Sequence, residues 1–315
     1  MDREPRNDLV WGHNRRRKIL SAQNRLPNFF ILGAGRCGTT SLAQHLRGHD
    51  QIFIPEIKEP SFFASSFQWV SDPGKYIDLY RDGHEALARG DASHVYLEDP
   101  KSPEILEAFF PDAKFVLMFR NPADRAVALY AMMLEHGYEV HRTFEKALAA
   151  EDRRFESSKF RKTCPQSFWN FMYYRSGLFG EQVARHLERW PRDRFYATTL
   201  YDYLAEPDVV VGEIQDFLGV DAAELGPVPR SASSKGTRSV PAQYLERRLL
   251  RPLERRKVPF AGEARRQVIT WNRGVDKPTM QADTRERLME LYRPDLAKLN
   301  DLLDIDVEER ELAAR

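Results

Sequence analysis

The segment Asn28–Leu46 constrains the fold more than any other part of the chain. Phe29-Phe30-Ile31-Leu32 is a short apolar run bounded by Pro27 and Gly33, as a buried strand requires. A glycine-rich turn follows, and Thr40–Leu46 then shows helical spacing, with Leu42, Ala43 and Leu46 on one side. The same order recurs at Lys114–Phe119 (KFVLMF), where Arg120-Asn121-Pro122 leads into a helix that ends at Gly137. A helix over Gly180–Trp190 precedes a strand over Phe195–Leu200, and a further strand is expected near Ser93–Leu97. Strands alternating with helices predict an α/β fold, three-layer α/β/α with a central, mostly parallel sheet. Residues 241–305 read as a helical C-terminal part. The expected organisation is one domain over residues 27–305, between a disordered basic tail at 1–26 and a polar tail at 306–315.

The turn itself, Gly33-Ala34-Gly35-Arg36-Cys37-Gly38, followed by Thr39-Thr40-Ser41, is an anion cradle on physical grounds. Backbone N–H groups converge between strand and helix, and the helix N-terminus adds partial positive charge. Glycines let the backbone approach an anion closely, and Arg36 and three hydroxyls add donors. The turn matches the dinucleotide G-x-G-x-x-G, but an Arg inside it and three hydroxyls after it are unusual there. It fails the nucleotide triphosphatase pattern, because Thr39 stands where Lys is required. A phosphosulfate is the third candidate ligand.

A second cradle is expected at Arg120, which closes an apolar strand. Asn121 is a good N-cap and Pro122 a good first helical residue, so a second helix N-terminus lies at a strand's C-terminal edge, where open parallel sheets bind ligands. Arg120 and Arg125 carry guanidinium groups suited to phosphate. Two cradles on one sheet suit a ligand with two separated anionic groups.

Composition bounds the rest. A formal net charge of +1 provides no global field for nucleic acid or membranes, so anion sites must be local. The two cysteines, Cys37 and Cys164, form no disulfide framework and no zinc spacing. No metal is expected. No apolar run has the length of a membrane span, and MDREPRNDLVWGHNRRRK lacks a signal-peptide core. The expectation is a cytoplasmic protein without membrane insertion or a nucleic-acid partner. A homodimer is left open.

Taken in order, these segments resemble the PAPS-dependent sulfotransferase family, in its bacterial and carbohydrate branches. GAGRCGTTSL resembles the 5′-phosphosulfate loop, and FPDAKFVLMFRNPADRAVALY the 3′-phosphate motif. HDQIFIPEIKEPSFFAS resembles the segment carrying Lys-Glu-Pro and paired Phe, and GDASHVYLEDP the next strand. YYRSGLFGEQVARHLERWPRDRFYATTLYDY and TRERLMELYRPDLAKLNDLL also fit, so the resemblance covers roughly residues 27–305.

The resemblance implies a P-loop-NTPase-like sheet and 3′-phosphoadenosine 5′-phosphosulfate (PAPS) as co-substrate. By motif position Gly35–Ser41 would hold the 5′-phosphosulfate, with Arg36 on the bridging or leaving phosphate. Arg120 would bind the 3′-phosphate, with Arg125 as a further cation. Glu59 matches the glutamate used as general base on sugars, and Lys235, Gly236, Thr237 and Arg238 match a late nucleotide-covering loop. Burial beside Phe62 and Phe63 is expected to raise the Glu59 pKa toward neutral. His94 stands where family members often have Pro, near the acceptor or as a strand-end histidine without a role. Ala128 replaces a usual Ser, a loss of roughly 1–2 kcal/mol if the bond is to a charged group. The acceptor is left open as a saccharide, a lipid-linked sugar or a small secondary metabolite, through a hydroxyl or amine. A dinucleotide oxidoreductase and a non-catalytic nucleotide-binding protein are the competing readings. The arginine-rich stretch Gln243–Lys257 reads as a solvated face or an acidic-glycan contact.

Overall fold

The computed structural model describes residues 12–229, 236–274 and 276–314. Residues 1–11 of the expected basic tail, and Lys235, lie outside them. Where the sequence reading has one domain, the chain builds two compact units. The first comprises residues 12–121, 179–229 and 294–314, and the second 122–178 with 236–274 and 276–293.

The first unit contains a five-stranded sheet of β1 (Phe29–Ile31), β2 (Ile52–Phe53), β3 (Ala88–Asp91), β4 (Lys114–Phe119) and β5 (Phe195–Thr199). Its order is β2-β3-β1-β4-β5, and every pairing is parallel. Alternation along β1 separates its two faces. Phe29 and Ile31 pack with Leu42, Leu46, Val116, Met118, Val211 and Ile214. Phe30 turns to the other face, 5.2 Å from the Phe110 ring, where Phe115 meets Trp190 at 4.6 Å. Helices on both faces make the expected three layers. The chain leaves β1 toward β2 and β3 on one side and reaches β4 on the other. The C-terminal ends of β3, β1 and β4 therefore adjoin at a topological switch point, the usual ligand position in such sheets.

The strand expected near Ser93–Leu97 lies earlier, and Val95–Glu98 is a short helix. A short apolar run reads equally as strand or buried helix. The true β3, Ala88-Arg89-Gly90-Asp91, carries no apolar run. Gly90 is there because a methyl group would come within 2.4 Å of the Phe29 ring.

The tails also differ from expectation. His13–Leu20 is helical, Ile19 and Leu26 are buried, and Arg15 lies 4.6 Å from the Phe62 ring centroid. A few apolar side chains with local partners anchored what polarity alone would leave loose. Val307–Ala313 is likewise a helix, capped by Asp306, with Val307 buried and Glu311 accepting from Asn121 Nδ2 at 2.6 Å.

The second unit opens with the helix Pro122–Glu135. Its core holds Glu139, whose carboxylate accepts two 2.8 Å bonds from Arg154 and one of 2.7 Å from Tyr173. The C-terminal helices are Val240–Leu245, Arg251–Arg255, Ala261–Asn272 and Ala282–Leu303, with a π turn at Glu246–Leu250. Pro252 has no N–H and its ring crowds the carbonyl one turn back, which a widened turn before it relieves. Among the described residues, no helix is long and apolar enough to cross a membrane.

Candidate active site

The loop between β1 and helix Thr39–Leu46 is shaped by its glycines. Gly38 sits at φ 96° and caps the helix without a side chain; a methyl group there would come within 2.6 Å of Leu200. Arg36 also adopts a left-handed backbone, at φ 73°. A non-glycine residue held there costs of order 1–3 kcal/mol and persists only where the surroundings impose it. The loop turns on a Cys37 N–H bond to the Ala34 carbonyl at 3.1 Å. Cys37 is fully buried, so it has only its backbone to offer a ligand, and Thr39 is also buried. Arg36, Thr40 and Ser41 are half-buried.

A charged cluster stands at the ends of the neighbouring segments. Glu59 accepts from Lys58 Nζ at 2.6 Å and lies 3.0 Å from His94 Nδ1. On the far side, His94 Nε2 is 3.9 Å from Glu98, whose side chain is fully buried. The imidazole edge also abuts the loop: a methyl group at Gly35 would fall 2.8 Å from His94 Cδ2. Gly35, His94 and Glu59 are thus brought together.

Burial would raise the Glu59 pKa, as expected from the sequence, but the charges of His94 and Lys58 outweigh it and hold the carboxylate well below its ordinary range. The expectation of a near-neutral Glu59 is therefore corrected. Its side chain remains 38% exposed, open to an incoming molecule. Burial lowers the proton affinity of His94, yet Glu59 and Glu98 prevail and raise it to about 9. That proton affinity stabilises the fold fully below the unfolded imidazole range, and the contribution is lost as pH rises through about 9.

A buried network supports the carboxylate from behind. Asp91, at the end of β3, accepts from Ser93 Oγ at 2.6 Å, Tyr76 at 2.8 Å and Tyr96 at 3.0 Å. Ser93 Oγ accepts the Ser61 N–H at 3.1 Å, and the Glu59 N–H donates to the Ala92 carbonyl at 3.1 Å. These bonds pin a segment in which Glu59 and Ser61 both have positive φ, 60° and 52°. Desolvation raises Asp91 to about 6 against its three donors.

Arg120 follows β4 at the switch point, half-buried. The Asn121 side chain, expected as a helix cap, donates to Glu311, while its N–H donates to Tyr201 Oη at 3.2 Å. Arg125 is different. It is fully buried in the second unit, donating to the Tyr173 carbonyl at 3.2 Å and to Ser176 Oγ at 2.6 Å. The expected phosphate contact is thus replaced by a packing role, because the guanidinium holds the turn after Tyr173. In the same unit Thr237 bridges Arg273 and the Arg238 guanidinium lies 5.7 Å from the Trp271 ring centroid. Gly236 has no room for a side chain against the Asp276 carbonyl.

A family model described as a sulfotransferase domain matches residues 26–300. The chain belongs to the sulfotransferase family. Membership displaces the dinucleotide oxidoreductase reading of Gly33–Gly38. The chain superposes on the sulfotransferase of Alicyclobacillus acidocaldarius with a TM-score of 0.67 and 25% identity, over 90% of this chain and 98% of that one. It is 22% identical to the membrane-associated sulfotransferase kil1 of Dictyostelium discoideum, over 64% of this chain and 58% of that protein. It is 24% identical to human heparan sulfate glucosamine 3-O-sulfotransferase 6, over 63% of this chain and 54% of that one. The chain thus spans just over half the length of these two curated relatives.

Lys58, Glu98 and the Asp91–Ser93 pair were not among the site residues expected from the sequence. A signal for Glu98 existed: once Val95–Glu98 is read as helical, His94 and Glu98 stand at i, i+4.

Proposed function

We propose that this sulfotransferase moves a sulfuryl group from PAPS to a hydroxyl or amine of a saccharide-like or secondary-metabolite acceptor, by in-line displacement with Glu59 as the base. The observation that supports this reading best is His94, which touches the carboxylate with one ring nitrogen and abuts the loop glycine Gly35 with its edge. Proton acceptor and anion loop are thereby held as neighbours. The naming of a curated relative for heparan sulfate glucosamine favours a saccharide.

In this reading PAPS supplies the sulfuryl group and a good leaving phosphate. The backbone N–H groups of Gly35–Ser41 and the Arg36 guanidinium stabilise the charge that grows on that phosphate, where preorganised donors have most effect. Arg120 holds the 3′-phosphate. Lys58 and protonated His94 keep Glu59 ionised at neutral pH, so its base form is fully populated. The same cations weaken it as a base, but the proton moves only as the attacking oxygen acidifies on bonding to sulfur. His94 adds positive charge beside the transferring group.

Calorimetry with adenosine 3′,5′-bisphosphate and, separately, NADP tests the donor, with binding of the bisphosphate alone expected. Binding of NADP alone, or of neither, would remove the PAPS reading. An acceptor screen with labelled PAPS then tests turnover.

The charge cluster also sets a pH signature. The kcat/KM profile should be flat through neutrality, fall on the alkaline side near pH 9 as His94 loses its proton, and fall on the acid side only below the ordinary carboxylate range. His94→Gln should abolish the alkaline limb and move the acid limb upward, because a cation no longer favours ionised Glu59. Unchanged limbs in His94→Gln would dissociate the imidazole from catalysis.

A further inference from the structure

The arginine-rich stretch Gln243–Lys257 takes no part in the chemistry above, yet its two sides differ sharply. Its inner side is fully engaged within the second unit. Gln243 donates to the Glu135 carbonyl at 2.7 Å and accepts from Asn272 at 2.8 Å. Glu246 is buried and accepts from Arg265 at 2.6 Å, and the same Arg265 binds Glu254 at 2.8 Å.

The outer side is apolar. Leu245, Leu249 and Leu253 recur every four residues and are 52%, 57% and 38% exposed. Past the turn Phe260 is 88% exposed. Single exposed leucines are common, but three exposed leucines at four-residue spacing, followed past the turn by an open Phe, mark an interaction surface. Arg248, Arg255, Arg256 and Lys257 stand in water beside it. Both acidic residues of the stretch are matched by Arg265, so the exposed charge is uniformly positive.

We propose that this face docks on an anionic lipid bilayer, with the leucines and Phe260 at the headgroup–acyl boundary and the arginines against lipid phosphates and carboxylates. An apolar stripe beside cations is what an interfacial helix requires. The charge argues against the other occupants. A second copy meeting this face about a two-fold axis would set arginine against arginine, and a soluble polyanion would take the charges but leave the leucines in water. Peripheral docking of this kind needs no membrane-spanning segment.

Vesicle flotation of the full chain tests the proposal, with phosphatidylcholine alone and with added phosphatidylserine. Binding is expected only to the anionic vesicles, weakening at high salt. Arg255→Ser with Arg256→Ser, and separately Leu249→Ser with Phe260→Ser, should each reduce it by roughly tenfold or more. All four positions are exposed, so melting temperatures should stay unchanged and show that the variants fold. No binding to anionic vesicles, or binding indifferent to the Leu249 and Phe260 changes, would overturn the proposal. So would a concentration-dependent dimer dissolved by those same changes, which would assign the face to a second copy. Heparin binding that survives them, without vesicle binding, would assign it to a soluble polyanion.

Discussion

Glu59→Gln is expected to lower kcat by roughly 10²–10⁴-fold, the ordinary worth of a positioned general base, while leaving affinity for adenosine 3′,5′-bisphosphate unchanged. Gln keeps the length of the side chain and a carbonyl oxygen to receive Lys58 and His94, which stand 2.6 Å and 3.0 Å from the carboxylate. What it lacks is the capacity to take a proton. The backbone at φ 60° is equally demanding of both residues. The change therefore isolates proton transfer from architecture, and single-turnover kinetics on an acceptor that turns over measure it. Full turnover by Glu59→Gln would end the general-base assignment. A parallel loss of bisphosphate affinity would instead show that Glu59 acts by holding the loop through His94. Bisphosphate binding without turnover in the unaltered protein would favour a non-catalytic binder, a reading kept in view by Ala128.

Gly33→Ala should destabilise the first unit by about 3 kcal/mol or more, the upper range for forcing a group into a packed core. The added methyl group would lie 2.4 Å from the Met118 backbone nitrogen and 2.9 Å from its carbonyl oxygen. Backbone cannot rotate away as a side chain can. Relief requires β1 and β4 to separate, although Leu32 N–H donates to the Val116 carbonyl at 3.0 Å just before this point. The loss would appear as a lower urea midpoint. By contrast, Gly35→Ala meets the His94 ring, which can shift, so its larger effect should fall on activity. A Gly33→Ala protein as stable as the parent would mean that the strands have slack that their spacing does not suggest.

Much of the sheet was legible in advance because β1, β4 and β5 carry their own apolar runs and the turns after β1 and β4 carry glycine, arginine and proline. β3 was hidden for a physical reason. It is filled by Ala88, Arg89, Gly90 and Asp91, chosen by close packing on Phe29 and by the Tyr76–Tyr96 network, and neither is visible as periodicity. The helix after it was mistaken for a strand, which concealed the i, i+4 relation of His94 and Glu98. The motif points to Glu59, but the sequence gives no access to its electrostatics. The sequence shows the aromatic neighbours Phe62 and Phe63, which would raise the pKa, while the approach of His94 is a property of the fold. Arg125 looked like a ligand cation because it follows a strand end by a few residues. Its burial against Tyr173 and Ser176 depends on a segment some fifty residues further along.

The sheet partners β4 and β5 are paired over five residues, from Phe115 with Phe195 to Phe119 with Thr199, yet the second unit's residues 122–178 leave the chain between them. Closure entropy grows only with the logarithm of the enclosed length, about 0.6 kcal/mol for each doubling. An excursion of this size therefore places little entropic constraint on its own length. Lineages sharing the parallel sheet are free to lengthen, trim or replace that excursion, and chimaeras exchanging it between relatives should retain the parallel pairing.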